Sequence, residues 1–324
     1  MLYPLQFQTI FKDKIWGGEK IKTILKKDFA PLPNCGETWE ISGVAGDVSV
    51  VKNGKLKDQT LNQLTQTYQA ELLGGKVWEQ FKNNFPLLIK FIDANDDLSI
   101  QVHPNDELAQ QRHNSFGKTE MWYIMQADEG AQLIAGFNSD VNQEIYLEKL
   151  QKNQLNDILN TEQVQAGDVF FLPAGRVHTI GKGLLLAEIQ QTSDITYRIY
   201  DFDRPDAQGN LRELHTELAL EALDYKKHAE YKTHYTEKTN EVNAIVHCNY
   251  FVTNKLQIDK EITRSYNDID SFVIFICTQG SCHLKTDQQT TQLVQGDVVL
   301  LPACIKNISI EPQENSTILE TYLP

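Results

Sequence analysis

Apolar positions along this chain fall in short runs of strand length, each closed by a turn signal. Phe85-Pro86-Leu87-Leu88-Ile89-Lys90-Phe91-Ile92 is one such run, and Glu120 to Met125 is another, followed by Asp128-Glu129-Gly130. A third, Val169-Phe170-Phe171-Leu172, is opened by Gly167-Asp168 and closed by Pro173, which lacks the N–H that a ladder needs. In three places the apolar spacing changes to three and four residues, which predicts helices over Thr60 to Phe81, Val141 to Leu159 and Glu213 to Leu223. Helices set into a strand-rich chain predict additions that cover a β-scaffold, not a separate helical fold.

One stretch occurs twice. Gly167-Asp168-Val169-Phe170-Phe171-Leu172-Pro173-Ala174 returns as Gly296-Asp297-Val298-Val299-Leu300-Leu301-Pro302-Ala303, and both copies follow an apolar strand and a glycine-containing turn. The echo predicts two β-barrel modules, each with a turn feeding a buried strand that a proline ends. The pattern resembles the cupin barrel, a small jelly roll, in duplicate, so the expected fold class is mainly β with helical insertions. The expected division is a first module over 1–225, a polar connection over 226–243 and a second module over 244–324. The copies differ in chemistry: the fifth residue after the proline is His178 in the first and Asn307 in the second. The second module has His283 but neither a Gln-x-His pair nor a glutamate partner, and reads as degenerate and structural.

The length of 324 residues suits two such modules. A net charge of −14 without a long basic run excludes a nucleic-acid footprint, and an anionic small substrate then needs a local basic cluster inside a pocket. Cys35, Cys248, Cys277, Cys282 and Cys304 are odd in number, scattered and free of any CxxC pair, which supports neither a disulfide framework nor a thiolate zinc site. No basic-then-apolar leader and no run of about 18 apolar residues is visible. The expected compartment is the cytoplasm, with no membrane partner, and the expected state is a monomer or weak homo-oligomer.

Candidate chemistry centres on Ser99-Ile100-Gln101-Val102-His103-Pro104. On a strand, Gln101 and His103 share one face while Ile100 and Val102 take the other. Glu120 opens the next apolar strand, and His178 follows the strand that Pro173 closes. Adjacent strands of a small barrel bring these four side chains within reach of one interior point. Two imidazoles, a carboxylate and an amide oxygen form a set suited to zinc or a similar divalent ion, with a position free for water or substrate. Taken singly, each His is more often a satisfied polar residue; the set, not any member, carries the expectation.

With these residues in place the chain resembles the type I mannose-6-phosphate isomerases in their short bacterial form. The resemblance rests on Ile15-Trp16-Gly17-Gly18, Gly36 to Ser42, Pro86 to Asp106, Gly117 to Tyr123, Leu172 to His178 and Glu188 to Asp201, in order over the first two-thirds of the chain. It implies an aldose–ketose isomerase acting on mannose 6-phosphate and fructose 6-phosphate, with one divalent ion, Zn2+, held by Gln101, His103, Glu120 and His178. It further implies catalytic roles for Arg198, Glu188 and Lys118. Many relatives have proline between that lysine and the ligand glutamate, where this chain has Thr119.

Two other readings stay open at this level: a different metal cupin enzyme, such as another sugar-phosphate isomerase or an iron oxygenase, and a non-catalytic sugar-binding regulator. His113 in Gln110-Gln111-Arg112-His113-Asn114 reads as part of a solvated loop, and Asp93 to Asp97 as a hairpin turn without calcium-loop spacing.

Overall fold

Fully buried central strands and outer strands that alternate in burial build the chain as two stacked pairs of antiparallel sheets, seen in a computed structural model that describes residues 1–206 and 208–324. The first half runs β1 (Ile10–Lys12), α1 (Lys20–Thr23), β2 (Glu37–Ile41), α2 (Leu61–Leu73), α3 (Gly75–Phe81), β3 (Leu87–Ala94) and β4 (Ile100–Val102). It continues with α4 (Asp106–His113), β5 (Glu120–Ala127), β6 (Gln132–Phe137), α5 (Gln143–Gln151), β7 (Leu159–Gln163) and β8 (Val169–Leu172). β9 (His178–Ile180), β10 (Leu184–Gln191), β11 (Tyr197–Tyr200) and α6 (Thr216–Ala222) complete it. The second half is all strand: β12 (Val242–His247), β13 (Val252–Ile258), β14 (Ile262–Ser265), β15 (Val273–Gln279) and β16 (Ser281–Lys285). Then come β17 (Thr290–Val294), β18 (Val298–Leu301), β19 (Asn307–Pro312) and β20 (Ser316–Tyr322).

Sheet order explains where the cores lie. In the first module β1-β2-β3-β10-β5-β8 faces β11-β4-β9-β6-β7; in the second β12-β13-β20-β15-β18 faces β14-β19-β16-β17. Each facing pair encloses an apolar core, with Ile92, Trp122, Phe170, Leu172 and Leu186 meeting Leu133 and Ile180 in the first. In the second, Leu256, Phe275, Val299, Leu301 and Ile318 meet Leu284, Ile308 and Ile310. The outer faces of the two large sheets, carrying residues such as Ile189 and Leu319, share one further core with the N-terminal segment and α2. The outer face of the smaller first-module sheet is covered by α5 and α6, which bury Tyr146 and Ala219 against Ile100 and Val102. The expected pattern of mainly β modules with helical covers is therefore observed, with each module a pair of sheets and not one continuous cylinder.

The first predicted helix is divided. Gly74 sits at φ +94, where a side chain is strained, and a Cβ there would lie 2.3 Å from the carbonyl of Asp270 in the second module. The Asp270 carboxylate accepts from Gly75 N at 2.7 Å and Lys76 N at 2.9 Å, which starts α3 as a new helix. His113 lies not in a loop but at the end of α4, with Nε2 2.8 Å from the Tyr197 hydroxyl. Only Ala109 is buried along that helix, so it carries no apolar period from which to predict it. Its start is set by the Asn105 side chain, which accepts from Leu108 N at 2.9 Å.

Register makes the duplication quantitative. Trp122 pairs with Phe170 and Phe275 pairs with Val299, and Phe170 and Val299 occupy the same place in the repeated stretch. Glu188 lies between Trp122 and Lys90; correspondingly, Glu320 lies between Phe275 and Asn254. Glu320 is thus the second-module counterpart of Glu188. On the smaller sheets the step differs. Asn307, five residues after its proline as His178 is, is exposed, and the inward residue is Ile308. Gln101 pairs with His178 and Arg264 with Ile308, so Arg264 holds the place of Gln101. Its guanidinium grips Glu320 with Nε and Nη2 each at 2.8 Å, joined by the Tyr266 hydroxyl at 2.5 Å and Asn254 at 2.9 Å. Where the first module gathers metal donors, the second carries a closed ion pair.

Candidate metal centre

Three strands and their entry loops deliver the donors. On β4, Ile100 and Val102 turn into the helix-covered core, so Gln101 and then His103 face inward. Glu120 opens β5, paired to Leu172, and His178 opens β9 opposite Gln101. Nδ1 of His103 is 3.0 Å from the carbonyl of Ile195, and Nδ1 of His178 is 2.8 Å from that of Arg176. A carbonyl only accepts, so both rings carry their proton on Nδ1 and direct an Nε2 lone pair into the site. Those Nε2 atoms lie 3.4 Å and 3.5 Å from the two Glu120 oxygens. A tetrahedron with bonds of about 2.1 Å has edges of about 3.4 Å, so this spacing suits a divalent ion of zinc's size.

Polar bookkeeping agrees with a cation site. Both Glu120 oxygens are buried; Oε1 has no hydrogen-bond partner and Oε2 has the Lys118 ammonium beside it, a sparse setting for a carboxylate at a protein's centre. Burial, with the Lys118 ammonium adding to it, pushes His103 down to about 3, and burial lowers His178 as well, so both imidazoles are neutral ligands at physiological pH. Burial pushes Glu120 up, but Lys118 and His103 outweigh it and hold the carboxyl well below its usual range. The Gln101 amide ends 3.2 Å from His178 Nε2, with its NH2 group directed there; a half-turn presents the oxygen instead, the orientation a cation selects. Among the described residues His103, Glu120 and His178 are the one group of His, Cys, Asp and Glu side chains gathered closely enough to hold a metal, their donor atoms all within 4.8 Å of one another.

The remaining expected residues converge on the same place. Lys118 Nζ is 3.1 Å from Glu120 Oε2 and 3.1 Å from His103 Nε2. Gln101, Lys118, Glu188 and Arg198 line one cleft of about 310 Å³ above the donors. Glu188 accepts from Trp122 Nε1 at 2.8 Å on one oxygen and faces Lys90 Nζ at 3.2 Å on the other. Burial, reinforced by the nearby Glu120 charge, raises its pKa. Arg198, beside Gln101 on β11, anchors Nη1 on the Glu213 carbonyl at 2.8 Å and keeps Nε buried without a partner. Burial, then the neighbouring Arg212, lowers its pKa.

A larger cavity of about 890 Å³ lies between β5, the 232–237 segment and the second module. It holds none of these donors, and its lysines are already paired, Lys232 with Asp168 at 2.7 Å and Lys255 with Glu237 at 2.6 Å. The smaller cleft is the one with chemistry. It also contains residues to which sequence reasoning assigned no role: Lys90, Trp39, Glu37, Lys14 and Arg212. Lys90 had a signal, a charge inside an apolar run of strand length, where it shares eight consecutive buried positions with only one other charged residue, Asp93. Arg212 had none, since it arrives from an irregular segment.

Fold and site together define a metal-centre cupin enzyme with a cationic cleft. Residues 4–156 match the family model for the phosphomannose isomerase type I catalytic domain, and residues 240–318 match that for the mannose-6-phosphate isomerase cupin domain. The chain is 34% identical over 314 residues to mannose-6-phosphate isomerase ManA of Bacillus subtilis, covering 95% of this chain and 96% of that one. It is 36% identical over 308 residues to the mannose-6-phosphate isomerase of Streptococcus mutans, with 95% of each covered. The solved structure of the Bacillus subtilis mannose 6-phosphate isomerase superposes with a TM-score of 0.88 at 31% identity, covering 98% of this chain and 99% of that chain. The chain belongs to the type I mannose-6-phosphate isomerase family. These matches do not favour an oxygenase or a non-catalytic regulator.

Proposed function

We propose that this chain interconverts mannose 6-phosphate and fructose 6-phosphate at the His103/Glu120/His178 centre, with Gln101 as fourth ligand and Zn2+ as the ion. The isomerase activity follows from family membership over nearly the whole chain. The observation that carries the site is the meeting of two lone-pair-directed imidazoles and a fully buried carboxylate, one of whose oxygens has no hydrogen-bond partner, beside the cleft. Two nitrogens and oxygen donors favour zinc over magnesium or calcium. When bound, such an ion supplies Lewis acidity to the carbonyl and hydroxyl oxygens of the open-chain sugar.

The chain's own residues do the rest. Glu188 is the base: one oxygen is held by Trp122, and its raised pKa brings it toward the range in which a carboxyl both takes and returns a proton. It removes the proton from C2 of the aldose and delivers it to C1, while the O2 proton moves to O1. Lys118 and Arg198 counter the negative charge that develops on the two oxygens, in a buried setting where such charges act strongly. Lys90 keeps Glu188 oriented through its ion pair. The division into a catalytic module over 1–225, a connection over 226–243 and a structural module over 244–324 belongs to the same proposal.

We place the enzyme in the cytoplasm, supported by five unpaired thiols. A monomer or weakly associating state is supported by exposed apolar side chains such as Ile15, Ile145 and Val294 lying on separate segments. No helix among the described residues is long and apolar enough to cross a membrane. The test is product formation from mannose 6-phosphate, coupled to nicotinamide reduction and run beside elemental analysis. Turnover with about one equivalent of zinc is expected; turnover by metal-free protein overturns the metal assignment.

A further inference from the structure

We propose that Tyr250, in the second module, is a positioning residue for the metal centre of the first. The inference rests on the ligand set proposed above and goes beyond it by giving the second module a part in the chemistry.

Tyr250 lies in the short connection between β12 and β13, and its hydroxyl donates to Asp106 Oδ2 at 2.7 Å, across 144 residues of sequence. Asp106 is the first residue of α4, three positions after His103. Its other oxygen, Oδ1, accepts from Gly117 N at 2.8 Å and from the Gln191 side-chain amide at 3.0 Å. The Gln191 amide oxygen in turn accepts from Thr119 N at 2.8 Å, and Gln191 N donates to the Thr119 carbonyl at 3.1 Å. Thr119 immediately precedes the ligand Glu120 and follows Lys118, whose own N–H donates to the Pro104 carbonyl at 3.1 Å. The Thr119 hydroxyl accepts from Ala174 N at 3.2 Å, and Gly175 N donates to the His103 carbonyl at 3.0 Å, so the loop leading to His178 is tied into the same frame.

Asp106 is therefore a hub. The segment of Glu120 is fastened to it directly at Gly117 and through Gln191, the loop to His178 through Gln191 and Thr119, and Tyr250 is the only second-module side chain hydrogen-bonded to it among the described residues. The packing is close: a Cβ on Gly117 would stand 2.6 Å from Asp106 N and 2.7 Å from the Asn105 carbonyl carbon. Little slack remains, so a shift of the Asp106 carboxylate passes to Gly117 and from there to Lys118 and Glu120. The Tyr250 hydroxyl is pushed up to about 12 by burial and by its bond to Asp106, so it stays a donor through the physiological range. Outer partners of this kind set ligand orientation, and their removal typically costs 10- to 100-fold in metal affinity or activity. Tyr250 acts further out, through Asp106 and then Gly117 or Gln191, and the lower end of that range applies.

The test is zinc affinity by chelator competition on the full chain, comparing wild type, Tyr250→Phe, Asp106→Ala and the double variant, with thermal unfolding of each metal-free protein alongside. Tyr250→Phe removes only the hydroxyl and leaves the ring packed. The expected result is zinc binding weakened about tenfold in Tyr250→Phe, with the double variant no weaker than Asp106→Ala alone because both act through one hub. Unchanged zinc affinity with a lowered unfolding temperature makes Tyr250 a mere inter-module tie and overturns the inference; so do additive losses in the double variant. Absence of zinc binding by the wild type instead overturns the ligand set itself, which keeps the two failures apart.

Discussion

Replacing Trp122 by phenylalanine isolates the most exposed assumption about the base. Trp122 Nε1 donates at 2.8 Å to Glu188 Oε2, and both side chains are buried. The bond favours the charged carboxylate, opposing the burial and the Glu120 charge that raise the Glu188 pKa. Phenylalanine keeps an aromatic ring, removes the donor and leaves a small space where the rest of the indole was. A hydrogen bond to a charged group is worth about 1.5–3 kcal/mol, and one pKa unit corresponds to about 1.4 kcal/mol. Loss of the donor therefore raises the Glu188 pKa by one to two units at most, and by about one if water enters the vacated space. Because the base must be deprotonated to act, the acid limb of the kcat–pH profile moves to higher pH by that amount. Turnover well above the limb falls less, since the charge is restored there. The assay is the initial rate of mannose 6-phosphate conversion over a pH series, in Trp122→Phe and in Glu188→Gln. An acid limb that stays in place in Trp122→Phe refutes Glu188 as the titrating base, and so does a limb that persists in Glu188→Gln.

Other expectations follow from the same geometry. Arg198→Ala should lower kcat by 10²- to 10³-fold, as loss of a preorganised charge partner does, with the fold intact by circular dichroism; an unaffected kcat rejects its catalytic role. Arg264→Ala strands the buried Glu320 carboxylate and should cost about 3–5 kcal/mol in denaturant unfolding, whereas Arg264→Met paired with Glu320→Gln should recover most of it; an unchanged midpoint in the single variant contradicts the ion-pair account. Asp93, buried with one oxygen accepting from Lys20 N at 2.6 Å, is raised to about 6 by burial. Its contribution to stability is present below pH 4 and lost as pH rises through 6, a change of up to about 3 kcal/mol. Asp93→Asn should therefore unfold at higher denaturant than wild type at pH 7 and lose that part of the pH dependence.

How much was legible in the sequence depended on whether burial left a period behind. The strands around Phe85–Ile92 and Val169–Leu172 are visible as continuous apolar runs because both their faces are covered, the covering helices because one face of each is apolar, and the repeated Gly-Asp-Val stretch announces the duplication. Helix α4 is not visible in the sequence, because it buries only one alanine and carries no apolar period, so His113 reads there as a loop residue. The single helix expected over Thr60 to Phe81 is interrupted twice, by a kink at Gln69 (φ 46) and at Gly74, which meets the Asp270 carbonyl from a part of the chain almost 200 residues away. Counting from the proline paired His178 with Asn307, but the second module's inward position falls one residue later, at Ile308, and only strand register reveals it. At the site, alternation on β4 was enough to place Gln101 and His103 on one face. The grip of Arg264 on Glu320, and that of Tyr250 on Asp106, join segments whose proximity nothing local encodes.

The central claim is that His103 and His178 hold one divalent ion through Nε2 while Glu120 closes the site. Anomalous diffraction at the zinc edge on crystals of the purified enzyme, with elemental analysis of His178→Ala beside it, addresses it most directly. The account predicts a single peak within about 2.0–2.2 Å of both Nε2 atoms and a Glu120 oxygen, and loss of metal and of turnover together in the variant. A peak elsewhere, or a His178→Ala protein that keeps its metal and its rate, contradicts it.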